Sequence, residues 1–245
     1  MRSKTMKGLS NISFRLVLVA AVVSVAIGAG CGNGGRQEVK TSAARLTAEV
    51  VVPRYATQAL EATGGRQAWI EAEKLALDCV VTFYNPDGTY YLTEQHHQIQ
   101  PWANSIQISA TEPPTATPYH CYEEVILDMM TAPVRFLDSE VVFTRRTTPV
   151  KRQGLWYYPI ERVSSEKLDT KYDKVVFYQN TDSSLVEIIC FVGINRQSRH
   201  RAIAVRSYDY RHIKNNGVLV PGRIEIFKTD DWGRPQQRLV KIDYK

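Results

Sequence analysis

From Leu75 onward, apolar side chains recur at every second position, and from about residue 141 to the C-terminus no helical period interrupts them. Leu75, Leu77, Cys79, Val81 and Phe83 alternate with Ala76, Asp78, Val80, Thr82 and Tyr84, the pattern of a half-buried strand. Further strands are expected over 89–100, 105–110, 141–145, 155–159, 174–180, 185–192, 201–210, 217–228 and 237–244. Hairpin signals stand at Asn215-Asn216-Gly217 and Asp230-Asp231-Trp232-Gly233. Roughly ten strands, with no helix between the last several, imply an antiparallel sheet rather than βαβ units. A sheet that wide curls or partly closes. The expected fold is therefore mainly β with a few helices (α+β), a strongly curved antiparallel sheet. Thirteen tyrosines agree with it.

Two helical stretches break the strand pattern. Residues 54–74 read as two short helices separated by Gly64-Gly65, a pair that supplies a left-handed cap. Between Pro118 and Pro133, the residues Tyr122, Val125, Ile126, Met129 and Met130 repeat at helical spacing. Glu123 and Glu124 sit in the first turn of that helix, where its dipole favours them. Pro133 should kink or end it.

The first 30 residues form a segment of another kind. Arg2, Lys4 and Lys7 precede a run of about 14 apolar or small residues, Leu16–Ala29, short of the ~20 that a spanning helix needs. The run ends Ile27-Gly28-Ala29-Gly30-Cys31. This segment resembles a bacterial lipoprotein signal, with Gly28 where that signal prefers leucine. The resemblance implies cleavage between Gly30 and Cys31 and acylation of Cys31, with Gly32 sorting the chain to the outer membrane. Residues 31–48 then read as a flexible tether, and 49–245 as a single domain. Three acyl chains on Cys31 would exceed the two signals that stable anchoring requires.

Charge narrows the partners. The chain carries 31 Lys+Arg against 25 Asp+Glu, a formal +6. Four of those cations lie in the first 30 residues, where there is no acid, so the remainder is only +2. No basic stripe suited to nucleic acid remains.

The stretch Ala59-Leu60-Glu61-Ala62-Thr63-Gly64-Gly65-Arg66-Gln67-Ala68-Trp69 resembles the opening of proteins related to the outer-membrane lipoprotein carriers, the LolA/LolB-like superfamily. The order of strands and turns from Tyr208 to Tyr244 is similar too. The resemblance implies an unclosed half-barrel with a helical lid over an apolar cavity that receives acyl chains. Val125, Ile126, Met129 and Met130 would line it from the lid, and Trp102 is a further candidate. Methionine suits such a surface because it adapts to irregular apolar partners.

Catalytic and metal signatures are sparse. His96 and His97 are adjacent on a strand and so point to opposite faces, with Glu94 sharing the face of His96. His120-Cys121 is a second polar cluster. No nucleophile elbow, zinc-protease motif or phosphate loop occurs. Cys79 and Cys190 both fall on apolar faces of strands, compatible with a bridge or with two buried thiols. The expected function is non-catalytic and cofactor-free: an envelope protein, anchored to membrane lipid through Cys31 and facing the periplasm, that binds an acyl chain, lipid or lipoprotein. The alternatives are an anchored interaction module with a filled interior and, behind it, a hydrolase.

Overall fold

In the computed structural model the period-two segments pair into one large antiparallel sheet. The structure describes residues 52–110, 122–163, 174–192, 202–214, 217–230 and 233–245. The segments 1–30 and 31–48, with Gly30, Cys31, His120 and Cys121, lie outside them. The chain divides into two compact units, Met1–Gln37 and Glu38–Lys245. All described residues belong to the second, which holds its own apolar core and hydrogen-bonded sheet and so folds independently.

Helices α1 (Arg54–Ala62) and α2 (Gly65–Glu71) open the described chain, and α3 (Glu123–Arg135) follows the third strand. The strands are β1 (Leu75–Tyr84), β2 (Tyr90–Gln100), β3 (Ser105–Ala110), β4 (Val142–Arg145), β5 (Val150–Arg152), β6 (Leu155–Val163) and β7 (Lys174–Asn180). They continue with β8 (Val186–Val192), β9 (Ile203–Tyr208), β10 (Arg211–His212), β11 (Leu219–Val220), β12 (Arg223–Thr229) and β13 (Pro235–Tyr244). The sheet runs β3-β2-β1-β13-β12-β9-β8-β7-β6-β4, with β5 hydrogen-bonded to β6. It does not close into a barrel. The first long strand and the last are neighbours, with Cys79 opposite Tyr244.

Curvature follows from what α3 touches. It packs against β3 at one edge and also against β8 and β9. On a flat sheet β3 and β8 would be about 29 Å apart at ~4.8 Å per strand, whereas a helix of this length measures about 20 Å. The sheet must wrap around the helix. The wrapped face carries the main core, including Leu75, Val81, Ile99, Ile160, Phe177, Ile189, Val205, Ile224 and Ile242. A smaller cluster of Tyr157, Val176, Tyr178, Ile188, Cys190 and Ala204 lies apart from it.

Several local expectations are refined. The segment 217–228 is not one strand: Pro221 and Gly222 divide it into β11 and β12. The Gly222 amide donates to Tyr208 O and Asp209 O instead of continuing a ladder. Strand β6 runs four residues beyond 159, and β5 and β10 are additional short strands. Pro133 does not end α3 at once: two more residues are helical, and the Phe136 amide closes the last turn on Ala132 O at 3.3 Å. A proline in the final turn forfeits a single backbone bond, which the surrounding core tolerates. Cys79 and Cys190 are free thiols, one in each apolar cluster. That placement decides between the two readings of the pair.

The glycine pair between α1 and α2 has left-handed backbone at both positions, φ +111° at Gly64 and +87° at Gly65. The two differ in what surrounds them. A Cβ on Gly64 would lie 2.5 Å from Gly217 O, while one on Gly65 meets only the Glu61 carboxylate at 3.6 Å. Both substitutions to alanine carry the left-handed penalty, but Gly64→Ala also forces two backbones apart. It should therefore cost about 2 kcal/mol more than Gly65→Ala in urea denaturation. Equal costs would show that the Gly217 loop moves aside freely.

Candidate functional site

The candidate site is the wrapped face of the sheet and the helix seated in it. Why α3 sits there is plain from its sequence: Val125, Ile126, Met129, Met130, Ala132 and Val134 are all buried. Its opposite side is buried as well, since Asp128, Thr131 and Arg135 are enclosed. The helix is thus surrounded, beyond the single apolar stripe that its spacing suggests.

The structure brings Met129 and Met130 together with Trp69, Thr63, Val186 and Tyr210 around a gap of only about 10 Å³, at most the room of one water. Val125 and Ile126 lie in the same core. Trp102 is half-buried at the turn after β2, and its indole N–H donates to Trp69 O at 2.9 Å. Trp69 in turn donates to Thr63 Oγ1 at 2.8 Å, and Thr63 Oγ1 donates to Ala59 O at 2.7 Å. These bonds tie α1, α2 and the β2–β3 turn into one block beside α3.

A buried ion cluster fixes α3 to the sheet. Asp128, 1% exposed, accepts from Arg135 Nε at 3.1 Å on one oxygen and from Arg162 Nη1 at 3.1 Å on the other. Arg162 projects from β6, on the same side as Ile160. Its Nη2 lies 3.6 Å from Glu124 Oε1 and makes no hydrogen bond among the described residues. Arg135 Nη1 reaches Asp138 Oδ2 at 3.4 Å. Glu124 is about a third exposed, so the cluster sits next to solvent. Periodicity did not reveal this cluster. The available signal was an aspartate and an arginine seven residues apart on one helical face.

A second buried polar group lies on β1, β2 and β13. His97 is fully enclosed; its Nε2 bonds Gln95 Oε1 at 2.9 Å, and its Nδ1 meets the Tyr244 hydroxyl at 3.1 Å. Cys79 Sγ is 3.5 Å from Nε2. Burial, with a smaller contribution from His96, pushes the imidazole down to about 4. Burial, reinforced by Asp78, pushes the Cys79 thiol up to about 12. The imidazole is neutral and the thiol protonated near pH 7, so the pair lacks the thiolate that nucleophilic chemistry requires.

His96 faces the other way, as its neighbour's burial demands. It bonds Asp78 at 2.7 Å, and Glu94 on the same face bonds Lys245 at 2.7 Å. These four line a surface cleft of about 480 Å³ with Ser109. Its charges are satisfied internally, and its polar walls do not suit an acyl chain. Among the described residues no three His, Cys, Asp or Glu side chains converge as a metal site, and no helix is long and apolar enough to cross a membrane.

No protein-family model matches this chain, and no curated relative matches it. Solved structures do. A LolA superfamily protein from Nitrosomonas europaea superposes with a TM-score of 0.50 at 12% identity, covering 80% of this chain and 92% of that one. A domain from Vibrio parahaemolyticus, described as an outer membrane lipoprotein-sorting protein, covers 78% of this chain and 91% of its own, at 9% identity and a TM-score of 0.44. With its unclosed antiparallel sheet wrapped on a buried helix, the chain has the LolA-like fold.

Proposed function

We infer that the protein is a membrane-anchored envelope lipoprotein that holds an acyl chain, lipid or lipoprotein against the wrapped face of its sheet, without chemistry. What supports this reading is the LolA-like fold, with an apolar sheet face covered by one helix. The gap of only about 10 Å³ beside Met129 and Met130 favours the second reading, an anchored interaction module with a filled interior. A helix presenting Val125, Ile126, Met129 and Met130 fills a space whose walls are largely apolar, with Arg162 of β6 a charged exception. An acyl chain can take the same space when α3 shifts outwards. Burying ten methylenes yields a gross gain of about 8 kcal/mol at ~0.8 kcal/mol each, before ordering costs. Displacing a packed helix offsets part of that gain, which makes binding reversible. An anchored protein of this kind acts as an acceptor or sensor, because a shuttle must leave the membrane. Anchoring rests on the lipoprotein-like signal at Gly30-Cys31, and the LolA-like fold supports an envelope setting.

Two measurements test it. Labelled palmitate should enter the wild-type chain and not Cys31→Ser; equal labelling of both removes the anchor. Protein purified from its own membranes should release a co-purified acyl-bearing molecule in native mass spectrometry and bind a fluorescent fatty-acid probe. Absence of both overturns the binding role and leaves an interaction module with a filled interior.

A further inference from the structure

We propose that the ligand of the wrapped face is an amphiphile with an anionic oxygen headgroup, a carboxylate or a phosphate, and that Arg162 is the residue that receives it. This deepens the reading above and rests on it. The argument starts from where the partners of Arg162 reside. Both carboxylates that neutralise it, Asp128 at 3.1 Å and Glu124 at 3.6 Å, belong to α3, while Arg162 itself belongs to β6. Any outward shift of α3 that admits an acyl chain withdraws both acids together. Arg135 moves with them, because it too is part of α3.

What remains on the sheet is a guanidinium that is 9% exposed in the closed arrangement. Its Nη2 already lacks a hydrogen bond among the described residues. Removing one partner of a buried ion pair is costly because the other charge is left uncompensated. A neutral ligand would leave that cost standing. An anionic headgroup cancels it, and the planar fork of arginine matches a carboxylate or phosphate through two parallel bonds.

Position supports the same assignment. Arg162 is followed by the exposed Val163 and faces Glu124, which is about a third exposed, so it lies near solvent. Ile160 precedes it on the same side and is fully buried in the core with Met129 and Met130. A headgroup at Arg162 therefore points its chain along Ile160 towards the space that α3 occupies. In the closed protein α3 supplies both halves of such a molecule, a carboxylate in Asp128 and an apolar body in its methionine-bearing stripe.

The test uses the compact unit, residues 38–245, with three ligands of one chain length: palmitate, hexadecyl phosphate and hexadecanol. Each is titrated against a bound fluorescent acyl probe, and melting is recorded for every variant. Wild type should release the probe at roughly tenfold lower concentration of at least one anionic ligand than of hexadecanol. Whichever anion competes better identifies the headgroup. Arg162→Gln should erase that preference, so that all three ligands compete alike whatever change in affinity they share from the loosened α3. Equal competition by all three ligands on the wild type, or a preference retained in Arg162→Gln, overturns the assignment and leaves acyl binding intact. Failure of the probe and all three ligands to bind overturns the acyl reading and this inference with it. Where Arg162→Gln does not fold, Arg162→Lys takes its place: it keeps the charge and loses the two-pronged fork, so a reduced anion preference supports the assignment and an unchanged one overturns it.

Discussion

Replacing Asp128 with alanine will destabilise the protein by about 3–5 kcal/mol, the cost of breaking a buried ion pair from one side. The change leaves Arg135 and Arg162 facing each other with no carboxylate between them, and only Glu124 and Asp138 at 3.6 and 3.4 Å to compensate. Equilibrium urea denaturation of the two proteins measures the loss directly. A companion variant separates charge from packing. Converting Asp128, Arg135 and Arg162 together to apolar residues of similar volume should recover most of the stability, because well-packed hydrophobes often equal a buried ionic triad. If Asp128→Ala costs less than about 1 kcal/mol, the cluster is solvated and α3 is not fastened by it.

Acid will weaken the fold through His97. Its native imidazole is pushed by burial down to about 4, against an ordinary 6.5. The unfolded chain therefore takes up a proton first. Its contribution is fully present above about pH 6.5 and is lost as the pH falls towards 4. The span corresponds to about 3 kcal/mol at 1.36 kcal/mol per unit. Below about pH 4 the native imidazole also protonates, and this loss levels off. The carboxyls of Glu161 and Asp243 are lowered from 4.5 and 3.8, so their losses fall at the acid end of the range. Urea denaturation at pH 7, 6, 5 and 4.5 should show stability declining with falling pH. His97→Gln keeps a polar partner for Tyr244 and should flatten the decline between pH 6.5 and 4.5. An equal slope in both proteins would place the titrating group elsewhere.

Strand periods made most of the sheet legible in the sequence, and the reasons for the misses are local. β1, β3 and β7 are written in clean alternation or continuous apolar runs, and they fall where those patterns place them. The β5–β6 hairpin turns on Gln153-Gly154, with Gln153 at φ +50°. A glutamine in left-handed backbone carries no turn signal, so the short strand before it was silent. Pro221-Gly222 is a turn signal inside an apolar run, and there the run proved the weaker guide.

The site was half legible. Spacing placed Val125, Ile126, Met129 and Met130 on one helix, and the family resemblance made them the lining of a ligand cavity. The structure has them on one helix, buried in the main core, with a gap of only about 10 Å³ beside Met129 and Met130. The burial of the helix's other side depends on Arg162, contributed by a strand 34 residues after Asp128. A single helical wheel has no access to that pairing. Likewise, alternation shows that Cys79 and Cys190 each lie on an apolar face, but both sides of this sheet carry apolar clusters. Only the assembled sheet assigns each thiol to its own side.

The unjoined ends of the strand path have a mechanical consequence. In a closed barrel, strand number and stagger fix the girth, so widening it means breaking a hydrogen-bonded seam. Here the path ends at β3 on one side and β4 on the other, and the described strands form no seam between them. The sheet behaves as a leaf spring bent around its contents. A small change in the angle between successive strands, shared along the path, alters the bore without the loss of any ladder bond. On the binding role proposed above, the same walls would fit a slender guest or a stout one.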